Sequence, residues 1–167
     1  SHPRIATVYG NIANVFEGQG EFQKASEYHN KAMRIRKLMY GEDHPHVATS
    51  YNDLGNLCES QGEYKIALNY YFRSLDIDKS IYGENHPNIA ASYNNIGSSY
   101  DQLRVYEKAL EFHLKSLQIY KSVYEENHPN IATCLNNIGM VKMNEGKCTE
   151  AREYLGKALE IRKQVYG

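Results

Sequence analysis

Bulky apolar residues recur along this chain with the spacing of an α-helix. One set is Ile89, Tyr93, Ile96 and Tyr100, at steps of four, three and four residues, which places the four side chains on one face of a helix. A second set with helical spacing follows after a short break: Tyr106, Ala109, Phe112, Ser116 and Ile119. The pattern predicts two amphipathic helices joined by a tight turn.

The same pair of patterns occurs four times, because the whole stretch repeats every 42 residues. Each copy opens on a His-Pro pair, and these pairs contain all four prolines of the chain. A fixed period of this length is the mark of a repeat protein. We therefore divide the chain into a single array of four units, at about residues 1–41, 42–83, 84–125 and 126–167.

The first helix of each unit is predicted to begin near its proline. Proline is favourable in the first turn, where its missing N–H would have no helical partner. The residue before each His-Pro pair is predicted to cap the helix, namely Asp43, Asn85 and Asn127. The ends of these helices are predicted near residues 17–19, 59–61, 101–103 and 143–145.

Glycines mark the turn between the two helices of a unit. Gly20, Gly62 and Gly146 occupy one column of the repeat, where a turn needs a positive φ angle. Arg104 takes that place in the third unit, so a different turn is expected there. Eight helices that bury their apolar faces against their neighbours form an all-α solenoid. Since the chain begins and ends in phase with the repeat, we expect it to be a segment of a longer protein.

Composition narrows the classes of function. The 19 Lys and Arg residues nearly balance the 20 Asp and Glu residues, which argues against nucleic acid or an anionic membrane as a partner. No apolar run approaches the length of a membrane span. The three cysteines have neither a CxxC pair nor the spacing of metal ligands, and their use fits a cytoplasmic protein. No phosphate-binding loop, nucleophile elbow or paired-carboxylate motif is present, so we expect neither catalysis nor a cofactor.

The columns of the repeat resemble the tetratricopeptide repeat family. The segment Tyr51-Asn52-Asp53-Leu54-Gly55, followed by Cys58, Ala67, Tyr71 and Ser74, matches that family's order of aromatic, Leu, Gly, aromatic, Ala, aromatic and small residue. The usual unit has about 34 residues. The longer 42-residue unit with its His-Pro phrase is similar to the arrays of kinesin light chain and nephrocystin-like proteins. The resemblance implies a right-handed superhelix that acts as a protein-interaction scaffold.

Asparagines form the sharpest polar pattern of the repeat. One column of the first helices, the Asn11 column, holds Asn11, Asp53, Asn95 and Asn137, and the column just before it, the Asn52 column, holds Asn52, Asn94 and Asn136. Offsets of three or four residues join them on one helix face to two further columns. Those columns are Thr7, Thr49 and Thr133, and Asn14, Asn56, Ser98 and Met140.

The resemblance implies that this face lines a concave groove. Because an amide offers both donors and an acceptor, stacked asparagines can bind the backbone of a peptide. The alternative is that they brace neighbouring helices. We favour peptide contact for the Asn11 column and a bracing role for the Asn52 column.

The groove columns contain no Lys or Arg, which disfavours a clamp for a carboxylate group. They contain Asp53, and Glu17, Glu59 and Asp101 follow one turn further along. A peptide of neutral or basic character is therefore favoured over an acidic one.

The histidines suggest structural roles. Each His-Pro histidine belongs to a different unit, and the close pair His44 and His46 is separated by a proline, which is awkward for a shared metal. We therefore predict linker residues and no metal site. His29 and His113 fall in a column where the family buries an aromatic residue, so the resemblance implies packed, hydrogen-bonded histidines and not catalytic ones.

Two other functions are compatible with the pattern. The last helix carries apolar residues such as Leu155, Leu159 and Ile161 with no following unit to cover them, which predicts that either another molecule or further sequence covers them. In the first case the terminal helices would mediate self-association into a dimer or filament. The array could also be a regulatory module fused to an enzyme elsewhere in a longer chain.

Overall fold

A computed structural model describes residues 3–167, with Pro3 and Tyr166 described through their backbone alone. The described part contains eight α-helices and no β-strand. The first helices of the four units are α1 (Pro3–Gly18), α3 (Pro45–Ser60), α5 (Pro87–Gln102) and α7 (Pro129–Asn144). The second helices are α2 (Phe22–Tyr40), α4 (Tyr64–Tyr82), α6 (Tyr106–Val123) and α8 (Cys148–Tyr166). The predicted all-α class and helix ends are confirmed.

The chain divides into two compact units, Ser1–Gly83 and Glu84–Gly167, each made of two repeats. In the first, α1 packs on α2 and α3 on α4, while α2 packs on α3 to join the repeats. In the second, α5 packs on α6 and α7 on α8, while α6 packs on α7. The division between the units coincides with a predicted repeat boundary.

The prediction of the helix caps was wrong by one residue. The N-cap residues are His44, His86 and His128, and the Nδ1 atom of each accepts the backbone N–H two residues later at 3.2 Å. These rings also stack on tyrosines: the ring centroids of Tyr40 and His44 lie 4.3 Å apart, and those of Tyr124 and His128 lie 3.7 Å apart. The structural role predicted for the His-Pro histidines is thus confirmed for these three. His2 lies outside the described residues.

The prediction of a different turn in the third unit was also wrong. Gly20, Gly62 and Gly146 have φ angles of 76°, 75° and 81°. Arg104 has a φ angle of 59°, in the same left-handed region, although it carries a side chain. The turn geometry is therefore kept where the glycine is lost, because the packed helices on either side hold the backbone in place.

Close contact between paired helices defines the core of each repeat. Ala67, Ala109 and Ala151 are buried where the second helix crosses the first. Gly55 and Gly97 give room to the rings of Tyr71 and His113, which are almost completely buried. His29 is equally buried. The packing predicted for both histidines is thus confirmed, whereas the predicted hydrogen bond is found for His113 and Nε2 of His29 has no partner among the described residues.

Candidate functional site

The structure places the four polar columns on one face of each first helix, which we call the asparagine face. On α3 this face consists of exposed Thr49 and Asn56 and half-buried Asn52 and Asp53. The matching residues of the other first helices are exposed Thr7, Asn11, Asn14, Thr133 and Met140, and half-buried Asn94, Asn95, Ser98, Asn136 and Asn137. Every predicted site residue is therefore at least partly accessible to solvent.

Asn94 braces three helices of the second unit. Its Oδ1 atom accepts a hydrogen bond from Asn137 Nδ2 at 3.0 Å and lies 3.0 Å from His113 Nδ1. Because a carbonyl oxygen can only accept, this arrangement requires the His113 tautomer with the proton on Nδ1. The amide thus ties α5 to both α6 and α7, the kind of role favoured for the Asn52 column, and it does so through Asn137, which belongs to the Asn11 column for which peptide contact was favoured.

Asn56 and Glu59 share the buried hydroxyl of Tyr71. Tyr71 OH lies 2.8 Å from Asn56 Oδ1 and 3.0 Å from Glu59 Oε2, and it has one proton to donate between them. Burial, followed by the nearby Glu59 carboxylate, raises the pKa of Tyr71 far above its usual value. Asn56 thus combines an exposed side chain with a contact to the buried Tyr71 hydroxyl.

Several polar side chains of the asparagine face remain unengaged. Asn11, Asn14, Asn136 and Ser98 form no side-chain hydrogen bond with any described residue. The hydroxyls of Thr49 and Thr133 donate to the backbone carbonyls of Pro45 and Pro129, one turn earlier. The face therefore combines braced amides, which hold the helices, with free amides that can bind another molecule.

Asp53 is paired with a cation that the sequence reasoning missed. Arg36 Nη1, from α2, lies 3.6 Å from Asp53 Oδ2 and donates a hydrogen bond to Ser50 Oγ at 2.7 Å. Burial raises the pKa of Asp53, and electrostatic interactions with His29 and Arg36 oppose that rise. Arg36 Nη2 also lies 4.0 Å from the place where a β-carbon on Gly10 would stand. A guanidinium from a second helix thus reaches the face beside Gly10.

Two other acidic residues near the face have neutral partners. Glu17 Oε1 accepts a hydrogen bond from Ser60 Oγ at 2.6 Å, which joins α1 to α3. Asp101 accepts from Asn144 Nδ2 at 3.1 and 3.2 Å, which joins α5 to α7. Neither carboxylate has a cationic side chain within ion-pair distance among the described residues. Both charges are therefore left uncompensated next to the asparagine face.

The described histidines and cysteines provide no cluster of ligands for a metal. In the part of the chain that the structure describes, no three His, Cys, Asp or Glu side chains come close enough together to hold one ion. No helix of that part is long and apolar enough to cross a membrane. Cys58, Cys134 and Cys148 are unpaired thiols.

The first unit also has a large groove away from the asparagine face. It has a volume of about 1080 Å³ and lies between α2 and α4, over buried Leu54, Leu57 and Cys58 of α3. Ser26 and Asn30 line it, in columns where the second and third repeats carry the larger side chains of Leu68 and Phe72, and of Leu110 and Leu114. Its mixed rim of acidic and basic side chains contains no recurring motif. The asparagine face, which recurs in every repeat, is therefore the stronger candidate for a binding surface.

Comparison with known families identifies the repeat. A family model described as tetratricopeptide repeat matches residues 4–80 and 89–164. No curated protein sequence matches the chain.

Solved structures share the fold at low sequence identity. BtubC (BKLC) from P. vanneervenii has a TM-score of 0.86 and 24% identity over 100% of this chain and 67% of its own. A variant of the nearly identical TPR-like repeats of a Podosopora anserina protein described as a kinesin light chain has a TM-score of 0.83 and 19% identity, over 100% of this chain and 79% of its own. The apo form of RapI has a TM-score of 0.83 and 22% identity, over 99% of this chain and 58% of its own.

Proposed function

This chain belongs to the tetratricopeptide repeat family, and on that premise we propose that it is a non-catalytic scaffold that binds a peptide segment of a partner protein. The family's fold is that of a protein-interaction scaffold. The proposed binding surface is the asparagine face of the first helices. The partner segment would lie across it in an extended or helical conformation.

The proposal rests on one observation: some amides of the asparagine face hold helices together, and others have no described hydrogen-bond partner. Asn94 is engaged in holding helices together, whereas Asn11, Asn14 and Asn136 have no described hydrogen-bond partner. A free amide can donate to a peptide carbonyl and accept from a peptide N–H at the same time. Such contacts are made with the backbone, so they are compatible with many partner sequences. For so short an array we expect a micromolar affinity, about −8 kcal/mol.

The proposed partner segment is neutral or basic. Glu17 and Asp101 leave their charges uncompensated beside the face, while the Asp53 charge is balanced by Arg36. An acidic peptide would be repelled by the first two carboxylates and would find Arg36 already engaged by Ser50 and Asp53.

A peptide-library screen with the whole chain as bait tests the proposal. We expect neutral and basic peptides to be captured, and the double variant Asn11→Ala/Asn14→Ala to bind them about thirtyfold more weakly, since each of the two lost hydrogen bonds is worth about 1 kcal/mol. The matched control is Asn69→Ala, an exposed amide on α4, which should leave the affinity unchanged. Equal binding by the double variant and the wild type would refute the role of these amides.

The proposed location is the cytoplasm. The three unpaired thiols fit a reducing compartment. A thiol-labelling experiment on the intact cell would test this, because exposed Cys148 should be found reduced.

Self-association through the terminal helices is a second candidate function, which one observation favours. Leu159 on α8 is 53% exposed, although Leu117 in the same column of α6 is 7% exposed. An apolar side chain that is buried in one repeat and exposed in the next is typical of a surface that another molecule or a further segment of a longer chain covers.

A further inference from the structure

The amide of Asn94 holds three helices together in the second unit, where it lies 3.0 Å from Asn137 Nδ2 and 3.0 Å from His113 Nδ1. The period of 42 residues assigns the corresponding places on α1, α3 and α2 of the first unit to Gly10, Asp53 and His29. The first unit thus keeps both partners of the amide, one of them as a carboxylate, and lacks the amide itself.

Both of the remaining partners lack a hydrogen bond to any described residue. Asp53 Oδ2 lies 3.6 Å from Arg36 Nη1, which is beyond hydrogen-bond distance, and neither Asp53 oxygen accepts a hydrogen bond from a described side chain. His29 is 2% exposed, and neither of its ring nitrogens has a partner among the described residues. Polar groups that are shielded from water are costly to leave without hydrogen bonds.

The missing side chain leaves a recess between α1, α2 and α3, which we call the Gly10 recess. The nearest atom of another helix to the place where a β-carbon on Gly10 would stand is Arg36 Nη2, 4.0 Å away. This nitrogen is an unused donor, because Arg36 binds Ser50 through Nη1. Asn52, in the same column of α3, is half-buried although α2 packs before it. A preceding repeat therefore does not close this column to solvent.

The charges around the Gly10 recess select the chemistry of what can enter it. A carboxylate would meet the like charge of Asp53, and an ammonium or guanidinium group would meet that of Arg36. A primary amide suits both, since its NH₂ group can donate to Asp53 while its oxygen, with two lone pairs, accepts from Arg36 Nη2 and from the ring of His29. It would restore in the first unit the contacts that Asn94 makes in the second.

We propose that the Gly10 recess binds the primary amide of an asparagine or glutamine side chain of the partner segment. The inference rests on the proposed function and adds to it a residue type in the partner and the place where that residue binds. The exposed amides of Asn11 and Asn14 stand next to Gly10 and one turn after it on α1. Backbone contacts and the inserted amide would therefore belong to one binding site.

Fluorescence-polarisation titrations of matched peptides against the whole chain test the proposal. Glutamine, asparagine, glutamate, lysine and leucine are placed in turn at each position of the tightest peptide from the library screen. At one position we expect glutamine or asparagine to bind about tenfold more tightly than the other three residues. The better of the two amides shows which side-chain length reaches the recess.

The variant Gly10→Asn supplies the amide from within the chain and should abolish this tenfold preference. It should keep helical circular dichroism, because asparagine stands in this column in the other three repeats. The matched control is Gly156→Asn on α8, where nothing lies within 4 Å of an added β-carbon, and it should keep the preference. A second measurement uses the wild-type chain: the ring nitrogen resonances of His29 should shift with the amide peptide and not with the leucine peptide.

The outcomes separate this inference from the proposed function. Equal binding of the matched peptides at every position would refute the inference and leave the proposed function standing, since peptides would still be captured. A preference that survives in Gly10→Asn, or His29 resonances that do not respond to the amide peptide, would also refute it. If no peptide is captured, both ideas fail.

Discussion

His29, Tyr71, His113 and Leu155 occupy one column of the repeat, and three of them are almost completely buried. Each polar member meets a different environment. Tyr71 donates to Asn56 or Glu59, His113 has Asn94, and Nε2 of His29 is buried without a partner among the described residues. Burial lowers the pKa of both histidines, that of His113 to about 4. These rings are therefore neutral in the folded chain at neutral pH, and protonation opposes folding.

The stability of the chain should fall as the pH decreases from about 6.5 to about 4. The unfolded chain binds a proton at His113 near its ordinary pKa of 6.5, whereas the folded chain binds it only near 4, so acid favours the unfolded state by up to about 3 kcal/mol. His113→Leu, which copies Leu155, should flatten this dependence. Urea unfolding at a series of pH values measures how the free energy of unfolding depends on pH. If that dependence is the same in the variant as in the wild type, His113 does not contribute to it.

Gly97 is predicted to be intolerant of any side chain. A β-carbon there would stand 2.8 Å from Cε1 and Nδ1 of the buried His113 ring, so Gly97→Ala should cost about 1–3 kcal/mol of unfolding free energy. Gly156→Ala on α8 is the matched control, because nothing lies within 4 Å of its added carbon. The Gly156→Ala substitution should leave the free energy of unfolding unchanged or raise it by up to about 1 kcal/mol. Equal effects of the two substitutions would contradict the close contact.

The helices follow from local signals, whereas their caps depend on details of a single turn. Proline, helical spacing and glycine fix where each helix begins and ends, which is why those bounds could be predicted. The cap could not, because Asp43 and His44 are both polar neighbours of the helix start and only the backbone geometry decides between them. His44 has the extended backbone of a cap residue, with φ −132° and ψ 145°, and its ring is held by stacking on Tyr40.

The turn between α5 and α6 stores strain that a single substitution should release. Arg104 is held at a φ angle of 59°, which disfavours any residue with a β-carbon. The exposed Arg104 side chain has no described partner to lose. Arg104→Gly should therefore raise the free energy of unfolding by about 1 kcal/mol. Gly62→Ala, at a φ angle of 75°, should lower it by a similar amount in the same denaturation experiment, and a loss of stability in Arg104→Gly would contradict this account.

The candidate site was only partly predictable because it depends on contacts between elements. The repeat period identifies which residues share the exposed side of each first helix, so the asparagine face could be read from the sequence. The Arg36–Asp53 pair could not, since Arg36 belongs to a second helix and its column holds Asp78, Tyr120 and Arg162 elsewhere. The period also gives no sign that Asn94 is engaged while Asn136 is free. Those differences arise from which side chain faces each amide across a helix pair.

At the scale of the whole chain, peptide binding and self-association use different surfaces. Thr7 and Asn14 belong to the asparagine face of α1, whereas the exposed Leu159 belongs to α8. The near balance of 19 basic and 20 acidic residues gives no overall field to attract a partner. Recognition must therefore come from local hydrogen bonds and the few uncompensated carboxylates. Substitutions in one of these surfaces should therefore leave binding by the other surface unchanged.

Mapping where a selected peptide binds is the most direct test of the central claim. The amide NMR spectrum of the labelled chain would be recorded with increasing amounts of the tightest neutral or basic peptide from the library screen. The account predicts that the largest shifts cluster at Thr49, Asn56, Ser98 and Thr133. Shifts that cluster instead at Ile66 and Tyr70, in the groove between α2 and α4, would contradict the assignment of binding to the asparagine face.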